Sequence, residues 1–400
     1  MTDASQFDFD TVVPRRGSGC FKWDSNPSDH TLPMFVADMD FKAPEVVLEA
    51  LRQRVDHGVF GYTWVPEEYY AAVAGWSERR YGFALEHDWI LPTIGIVPAI
   101  SAVLRALIQS GDGVIVQTPV YHCFFSSIER IGGRIVENKL VMTDSPDAAS
   151  TGIYQVDWDD LEQKAAAPDT KVMLLCHPHN PSGRVWRDDE LLRLGEICQR
   201  HNVTVVSDEI HCDLLFPGEV HRPFASLSPD HLASCITLTA PGKTFNLAGL
   251  QIGNVVIADR ALRVRVLKAL REHEIHGVNP FGVAGSIAAY THGAEWVDAL
   301  NAYLYGNFQR IQAFLQQELP QLTLYPQQST YLAWIDCSAT GLTGTELATR
   351  LLDDGELRIS SGSGFLPRQQ ENRFIRLNFA CPRSVLNDGL ARMERVIQAL

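Results

Sequence analysis

Five short apolar runs, each separated from the next by a turn and a longer stretch, occupy the middle of this chain, at 113–117, 171–176, 203–207, 235–239 and 253–257. Each is apolar along its length instead of alternating, the pattern of a strand buried on both faces. The stretches between them carry helical spacing. In 188–201 the apolar positions are Leu191, Leu192, Leu194 and Ile197, and 98–108 also reads as helix. Doubly buried strands alternating with helices predict an α/β fold, a mostly parallel sheet covered on both faces. In such sheets a ligand sits beyond the carboxyl ends of the strands.

Polar residues gather at those ends: Gln117 to Tyr121, Cys176 to Asn180, Ser207 with Asp208, and Ala240 to Lys243. That coincidence argues for one shared site. Lys243 stands out among them. It is the only Lys, Arg, Asp or Glu between Asp230 and Asp259, and the chain has only seven lysines. A desolvated ε-amine has a lowered pKa and attacks carbonyls. A surface lysine after a strand is the plainer alternative, but the apolar flanks disfavour it. Gly242-Lys243-Thr244 also looks like the tail of a P-loop, yet that motif needs glycine at position 237, which is Thr. A lysine for a Schiff base and an acid such as Asp208 for a pyridinium nitrogen are the polar groups a pyridoxal phosphate site most needs.

At 400 residues the chain is too long for one ordinary core. A net charge of −14 argues against broad nucleic-acid or anionic-membrane binding. No apolar stretch reaches the ~18 residues of a membrane span. The acidic N-terminus has no apolar core of a signal peptide, and the eight cysteines include no C-x-x-C pair, so a reducing, cytoplasmic setting is expected. The histidines at 122, 177, 179 and 211 lack metal-ligand spacing, and no metal is expected. His211 is expected behind the first layer of the pocket. The pattern changes near residue 285. A long helix at 286–317, strands at 331–335 and 373–379 and a last helix at 385–400 predict a smaller α+β domain. The expected division is an N-terminal arm (1–50) packing on the small domain, a large domain (51–285) and the small domain (286–400).

Eight local motifs then occur in order: RRGSGCFKWD (15–24), VADMDF (36–41), FGYT (60–63), TPVY (118–121), HNPSGRVW (179–186), SDEIH (207–211), KTFNLAG (243–249) and RLNFACP (376–382). Together they resemble a fold-type I pyridoxal 5′-phosphate enzyme of the class I/II aminotransferase superfamily. Within it they are most similar to the cystathionine β-lyase, or C–S lyase, branch of MalY and PatB type. The resemblance spans nearly the whole chain. It implies a large domain whose mostly parallel sheet lies between helices, a smaller α+β domain, an amino-acid substrate and a homodimer with shared sites.

The resemblance also implies roles. Lys243 carries the cofactor covalently and then acts as the base. Asp208 pairs with the pyridine nitrogen, where a helix N-cap is its plainer reading. Asn180 donates to the phenolic oxygen and also suits a turn before Pro181. Tyr121 stacks on the ring in place of an ordinary core position. Arg376 binds the substrate α-carboxylate in a bidentate fork; a solvated strand arginine is its alternative, and the expected reading of Arg373 and Arg383. The phosphate is expected at the turn with Ile96 and Val97, before a helix starting near Pro98. Tyr62 reaches the phosphate and substrate of the neighbouring subunit, unless it is a core tyrosine. Backbone at Ala37 approaches the substrate, with no catalytic role for Asp38 or Asp40.

Two positions depart from many aminotransferases. Gln251 stands where they have a phosphate-clamping arginine, and Ala240 where they often have serine, so Thr239 or Thr244 is the expected substitute. The residues alone leave β-elimination and transamination open, since both use Lys243, Asp208 and Arg376. The resemblance favours elimination from cystathionine or another cysteine S-conjugate. An aminotransferase is the alternative, and a regulatory protein on the same fold a further one. A nicotinamide oxidoreductase is set aside because no G-x-G-x-x-G occurs.

Overall fold

The computed structural model describes residues 7–142, 153–275 and 277–400. The first six residues of the expected arm lie outside the described residues. A seven-stranded sheet forms the centre. Its strands in chain order are β1 (Ile90–Thr93), β2 (Gly113–Thr118), β3 (Arg134–Lys139), β4 (Thr170–Cys176), β5 (Thr204–Asp208), β6 (Cys235–Thr239) and β7 (Gly253–Val256). Their order across the sheet is β1-β7-β6-β5-β4-β2-β3. Alternate residues of each strand divide between two cores. Val114, Val172, Leu174, Val206 and Ile236 pack toward the helix Ile96–Leu107. Ile115, Met173, Val205 and Cys235 pack toward the helix Asp188–Arg200 through Leu191, Leu194 and Ile197. Each buried aliphatic side chain contributes about 1.5–3 kcal/mol, which is why these runs show no polar alternation.

The five central runs form strands as expected, but β7 is antiparallel to both its neighbours. Between β6 and β7 the chain makes only the short helices Pro241–Thr244 and Ala248–Leu250. That is too little to cross the sheet and re-enter in parallel, which takes a longer connection, usually a full helix. As a result the amino end of β7 lies beside the carboxyl ends of β1 and β6, with Gly253 opposite Thr93 and Asn254 opposite Thr239. Strands β1 and β3 were not anticipated. One contains Pro92; the other, Arg134–Lys139, is a polar edge strand that pairs only with β2.

The helix expected at 286–317 is two helices, Pro280–His292 and Ala294–Glu318. Gly293 separates them because the approach is close. A Cβ there would stand 2.4 Å from the Phe245 ring and 2.5 Å from the carbonyl oxygen of Ala289. A second, antiparallel sheet joins Thr323–Leu324, Leu332–Asp336, Phe374–Asn378 and Ser360–Ser361 in that order. The final helix runs Arg383–Ile397. Near the N-terminus, Leu32–Pro33 pairs in parallel with Leu357–Arg358. Among the described residues no helix is long and apolar enough to cross a membrane.

Candidate active site

A cleft of about 1010 Å³ opens at the carboxyl edge of the central sheet and is closed on its far wall by the second sheet. The edge is where β1, β2, β4, β5 and β6 end and β7 begins, so residues distant in sequence meet there. Ala37, Ile96, Val97, Tyr121, Asn180, Asp208, Lys243, Gln251 and Arg376 all line it.

Lys243 sits in the turn after β6. Ala240 leads into Pro241–Thr244, with proline in its favoured first helical position. Thr244 turns inward and donates to Asp213 Oδ2 at 2.7 Å, while Lys243 faces the cleft. Its Nζ donates to the carbonyl oxygen of Ala37. No carboxylate among the described residues forms an ion pair with it. Burial, then the charge of Arg376, brings its pKa down to about 8. Asp208 ends β5, between Cys176 and Leu238 in register. Its Oδ1 accepts from the amide of Ile210 at 3.2 Å, and burial raises its pKa to about 7.

Arg376 lies on Phe374–Asn378, opposite Trp334 and Ser360. Nη1 donates to Asn180 Oδ1 at 2.9 Å and Nη2 to the Phe35 carbonyl at 3.0 Å. The guanidinium stacks 4.6 Å from the Phe365 ring centre. Its Nε has no partner, and among the described residues no carboxylate neutralises it. Burial lowers its pKa to about 10. A buried cation with no counterion and an orphaned donor is a site for an incoming carboxylate. Asn180 spends its oxygen on Arg376 and keeps its amide nitrogen for the cleft. Arg373 and Arg383 point elsewhere, to Ser338 and Asn307.

Ile96 and Val97 are the first two residues of Ile96–Leu107, which starts two residues earlier than expected. Gly95 precedes them with φ +123°, a left-handed value that favours glycine. Amides in a first helical turn have no acceptor within the helix, and the dipole there favours anions. Gln251 joins this end of the cleft, because β7 begins at this edge. Neither expected threonine does. Thr244 is committed to Asp213, and Thr239 lines a separate small cavity beside Trp76 and Tyr290. Tyr121 precedes the helix His122–Glu129, its ring 4.8 Å from that of His122.

The carbonyl of Ala37 also accepts from the Tyr331 hydroxyl at 3.0 Å. This extended segment is fixed from several sides. Asn378 Nδ2 donates to the carbonyls of Val36 and Asp38, and Asn246 bonds the backbone of Met39 and Phe41. Asp38 and Asp40 pair with Arg15 and with the buried Lys22. These acids hold the segment's shape. Tyr62 is fully exposed and lies outside the cleft, beside the exposed Val59, Phe60 and Trp64. His211 lines the cleft itself, and burial holds it neutral with a pKa near 3. His177 packs on His221, which contacts Glu209, and His179 bonds Ser182. Phe35, His122, Tyr331 and Ser360 were missed as site residues. They are ordinary residue types whose role comes from tertiary placement, and only the TPVY context adjoined one of them.

These residues fit pyridoxal 5′-phosphate. An amine of lowered pKa, a buried acid, an amide donor and a helix start converge on one cleft, and Arg376 is left over for a substrate carboxylate. The model of the family "Aminotransferase class I and II" matches residues 32–393. The chain is 41% identical to cystathionine beta-lyase PatB of Bacillus subtilis, over 97% of this chain and 99% of that one. It is 33% identical to protein MalY of Escherichia coli, over 98% and 100%. Among solved structures, the PLP-bound C–S lyase of Staphylococcus hominis superposes with a TM-score of 0.89 at 32% identity, covering 98% of this chain and 99% of that one. The chain therefore belongs to the class I and II aminotransferase family, on its PatB and MalY branch.

Proposed function

We propose that the protein is a carbon–sulfur β-lyase that uses pyridoxal 5′-phosphate to cleave L-cystathionine or related cysteine S-conjugates to a thiol, pyruvate and ammonia. One observation carries the cofactor chemistry, that Lys243, Asp208, Asn180, Tyr121 and the unpaired Arg376 share a single cleft, and the 41% identity to a cystathionine beta-lyase favours elimination. Lys243 would bind the cofactor covalently, Asp208 its ring nitrogen, Asn180 its phenolic oxygen, Tyr121 its ring face, and Ile96 and Val97 its phosphate. When bound, the cofactor supplies an electron sink for the bond broken at the substrate Cα.

Arg376 holds the α-carboxylate and so fixes which Cα bond faces Lys243. With a pKa near 8, Nζ is partly neutral near pH 7–8, where a general base works best. It takes the Cα proton and, once protonated, stands as the donor to the departing thiolate. The C–S bond breaks, its electron pair leaves with sulfur, and one water is consumed in giving pyruvate and ammonia. The carbonyl of Ala37 orients Nζ before substrate enters.

An aminotransferase would use the same residues, and the family model bears that name. The two reactions separate cleanly. With cystathionine and no keto acid, the lyase gives pyruvate, ammonia and thiol in equal amounts over many turnovers. Turnover only with an added keto acid would refute the lyase.

We further infer a homodimer in which Tyr62 enters the partner's cleft. Support comes from its full exposure within an apolar patch that a single chain leaves uncovered. The division into 1–50, 51–285 and 286–400 is retained as the domain plan, supported by the two separate sheets and by the pairing of Leu32–Pro33 with Leu357–Arg358. A cytoplasmic setting is supported by eight cysteines that form no disulfide.

A further inference from the structure

The cleft has a second arginine. Arg358 lines its mouth, half-buried, and no carboxylate among the described residues pairs with it. Nη1 is anchored, to the Ser25 carbonyl at 2.9 Å, Ser25 Oγ at 3.4 Å and Asn26 Oδ1 at 3.2 Å. Nε and Nη2 carry no such bond. The guanidinium lies 4.0 Å from the centre of the Phe35 ring. Phe35 is also the residue whose carbonyl takes Arg376 Nη2. The two cations thus bracket one phenylalanine, Arg376 at its backbone and Arg358 on its ring.

The local chain explains the placement. Arg358 and Ser360 face the cleft, while Ile359 between them is buried, the alternation of an extended segment. Ser360 stands directly opposite Arg376. Arg358 lies two residues earlier, where the chain has left that ladder and pairs with Leu32–Pro33 instead. Two carboxylate carbons joined through a thioether of seven bonds, each ~1.5 Å, span about 9 Å when extended. That span suits two guanidinium groups that line one cleft and reach one phenylalanine, Arg376 at its carbonyl and Arg358 at its ring.

We propose that Arg358 is a specificity-determining residue that binds a second carboxylate, carried by the sulfur substituent, so that the cleft favours dicarboxylic cysteine S-conjugates over apolar ones. This rests on the C–S lyase reading and adds the substrate class to it. Arg376 takes the α-carboxylate at the reacting end, and Arg358 takes the distal one at the mouth. The stacking on Phe35 keeps the guanidinium plane in place, which an ammonium could not copy.

The test compares L-cystathionine with S-ethyl-L-cysteine, which has no distal carboxylate, on the holoenzyme and on Arg358→Gln and Arg358→Lys. Arg358→Gln is expected to lower kcat/KM for cystathionine about tenfold or more, mainly through KM, and to leave S-ethylcysteine within about twofold. Arg358→Lys should recover part of the loss. Equal losses on both substrates would mean that Arg358 only ties down Ser25 and Asn26, and would overturn the proposal. So would an unchanged ratio. If wild type cleaves S-ethylcysteine but the ratio is insensitive to position 358, only the distal site fails. If wild type cleaves neither conjugate, the lyase reading fails and this proposal with it.

Discussion

Replacing Arg376 by methionine separates what the site costs from what it does. Burial takes this guanidinium well below its ordinary value, to about 10. At about 1.4 kcal/mol for each tenfold, holding the charge there costs the fold roughly 3 kcal/mol at neutral pH. The sign is that of a cation with a lowered folded pKa: the penalty is full below about pH 10 and fades as pH rises toward the ordinary arginine value. Against it stand the bonds to Asn180 at 2.9 Å and to the Phe35 carbonyl at 3.0 Å, worth about 1.5–3 kcal/mol each. The terms largely cancel, so Arg376→Met is expected to unfold within about 1–2 kcal/mol of wild type. Cutting a structural buried ion pair costs about 3–5 kcal/mol. Catalysis responds differently. A bidentate grip on the α-carboxylate is two charge-assisted bonds, so kcat/KM should fall by about 10²–10⁴. Denaturant unfolding of the cofactor-free protein and steady-state kinetics on one preparation measure both. A stability loss above about 3 kcal/mol, or a kcat/KM within tenfold of wild type, would refute the assignment of Arg376 as a cation kept free for substrate.

Lys243→Ala should abolish both turnover and the borohydride-trapped cofactor adduct; recovery of the adduct on another lysine would displace Lys243. Asp208→Asn should fold yet lose about 10²–10³ in kcat, and near wild-type turnover would sink its role. Asp208 has its folded pKa raised from 3.8 to about 7. The folded chain therefore keeps a proton that the unfolded chain has released, and stability falls as pH rises from about 4 to 7. Asp208→Asn should remove that part of the slope in cofactor-free unfolding, and an unchanged slope would show that Asp208 is not the group responsible. If Tyr62 completes the partner's site, Tyr62→Phe refolded with Lys243→Ala should regain activity above either parent. No recovery, in proven heterodimers made from a severely impaired Tyr62→Phe parent, would place Tyr62 in its own subunit.

The central strands were legible because apolarity along their whole length reports burial on both faces, a local signal. Strand direction was not. The reversal at β7 follows from the compact path of 240–252, where Thr244 is drawn inward to Asp213, and nothing in the composition of 253–257 records it. Edge strand Arg134–Lys139 escaped for a related reason: with one flank open, its polar residues carry no penalty. The polar groups at strand ends could be read as a site because topology places such ends together. Phe35 and Ser360 could not, since each reaches the cleft from the N-terminal segment or the second sheet, and Tyr331 acts behind it through the carbonyl of Ala37, all by contacts more than a hundred residues apart in sequence. Asp38 and Asp40 stood out as acids, yet their meaning depends on Arg15 and Lys22, which only the fold brings to them.

The same topology accounts for the departure at Gln251. Among the residues lining the cleft, the basic side chains other than histidine are Lys243, Arg358 and Arg376, of which Arg376 comes from the second sheet and Arg358 from the short pair with Leu32–Pro33. At the end with Ile96 and Val97, the described residues lining the cleft include two amides of a first helical turn and Gln251, all neutral. The twelve-residue helix Ile96–Leu107 supplies partial positive charge there through its aligned peptides, on the order of half a unit. An arginine at 251 would add a full charge to the cleft it shares with Lys243, whose pKa the cation at 376 already helps to lower. Holding the anion by dipoles instead keeps that end from depressing the lysine further. In the proposed reaction Nζ has to accept the Cα proton and return it to sulfur, so each cation left out of the cleft favours the neutral amine that can accept.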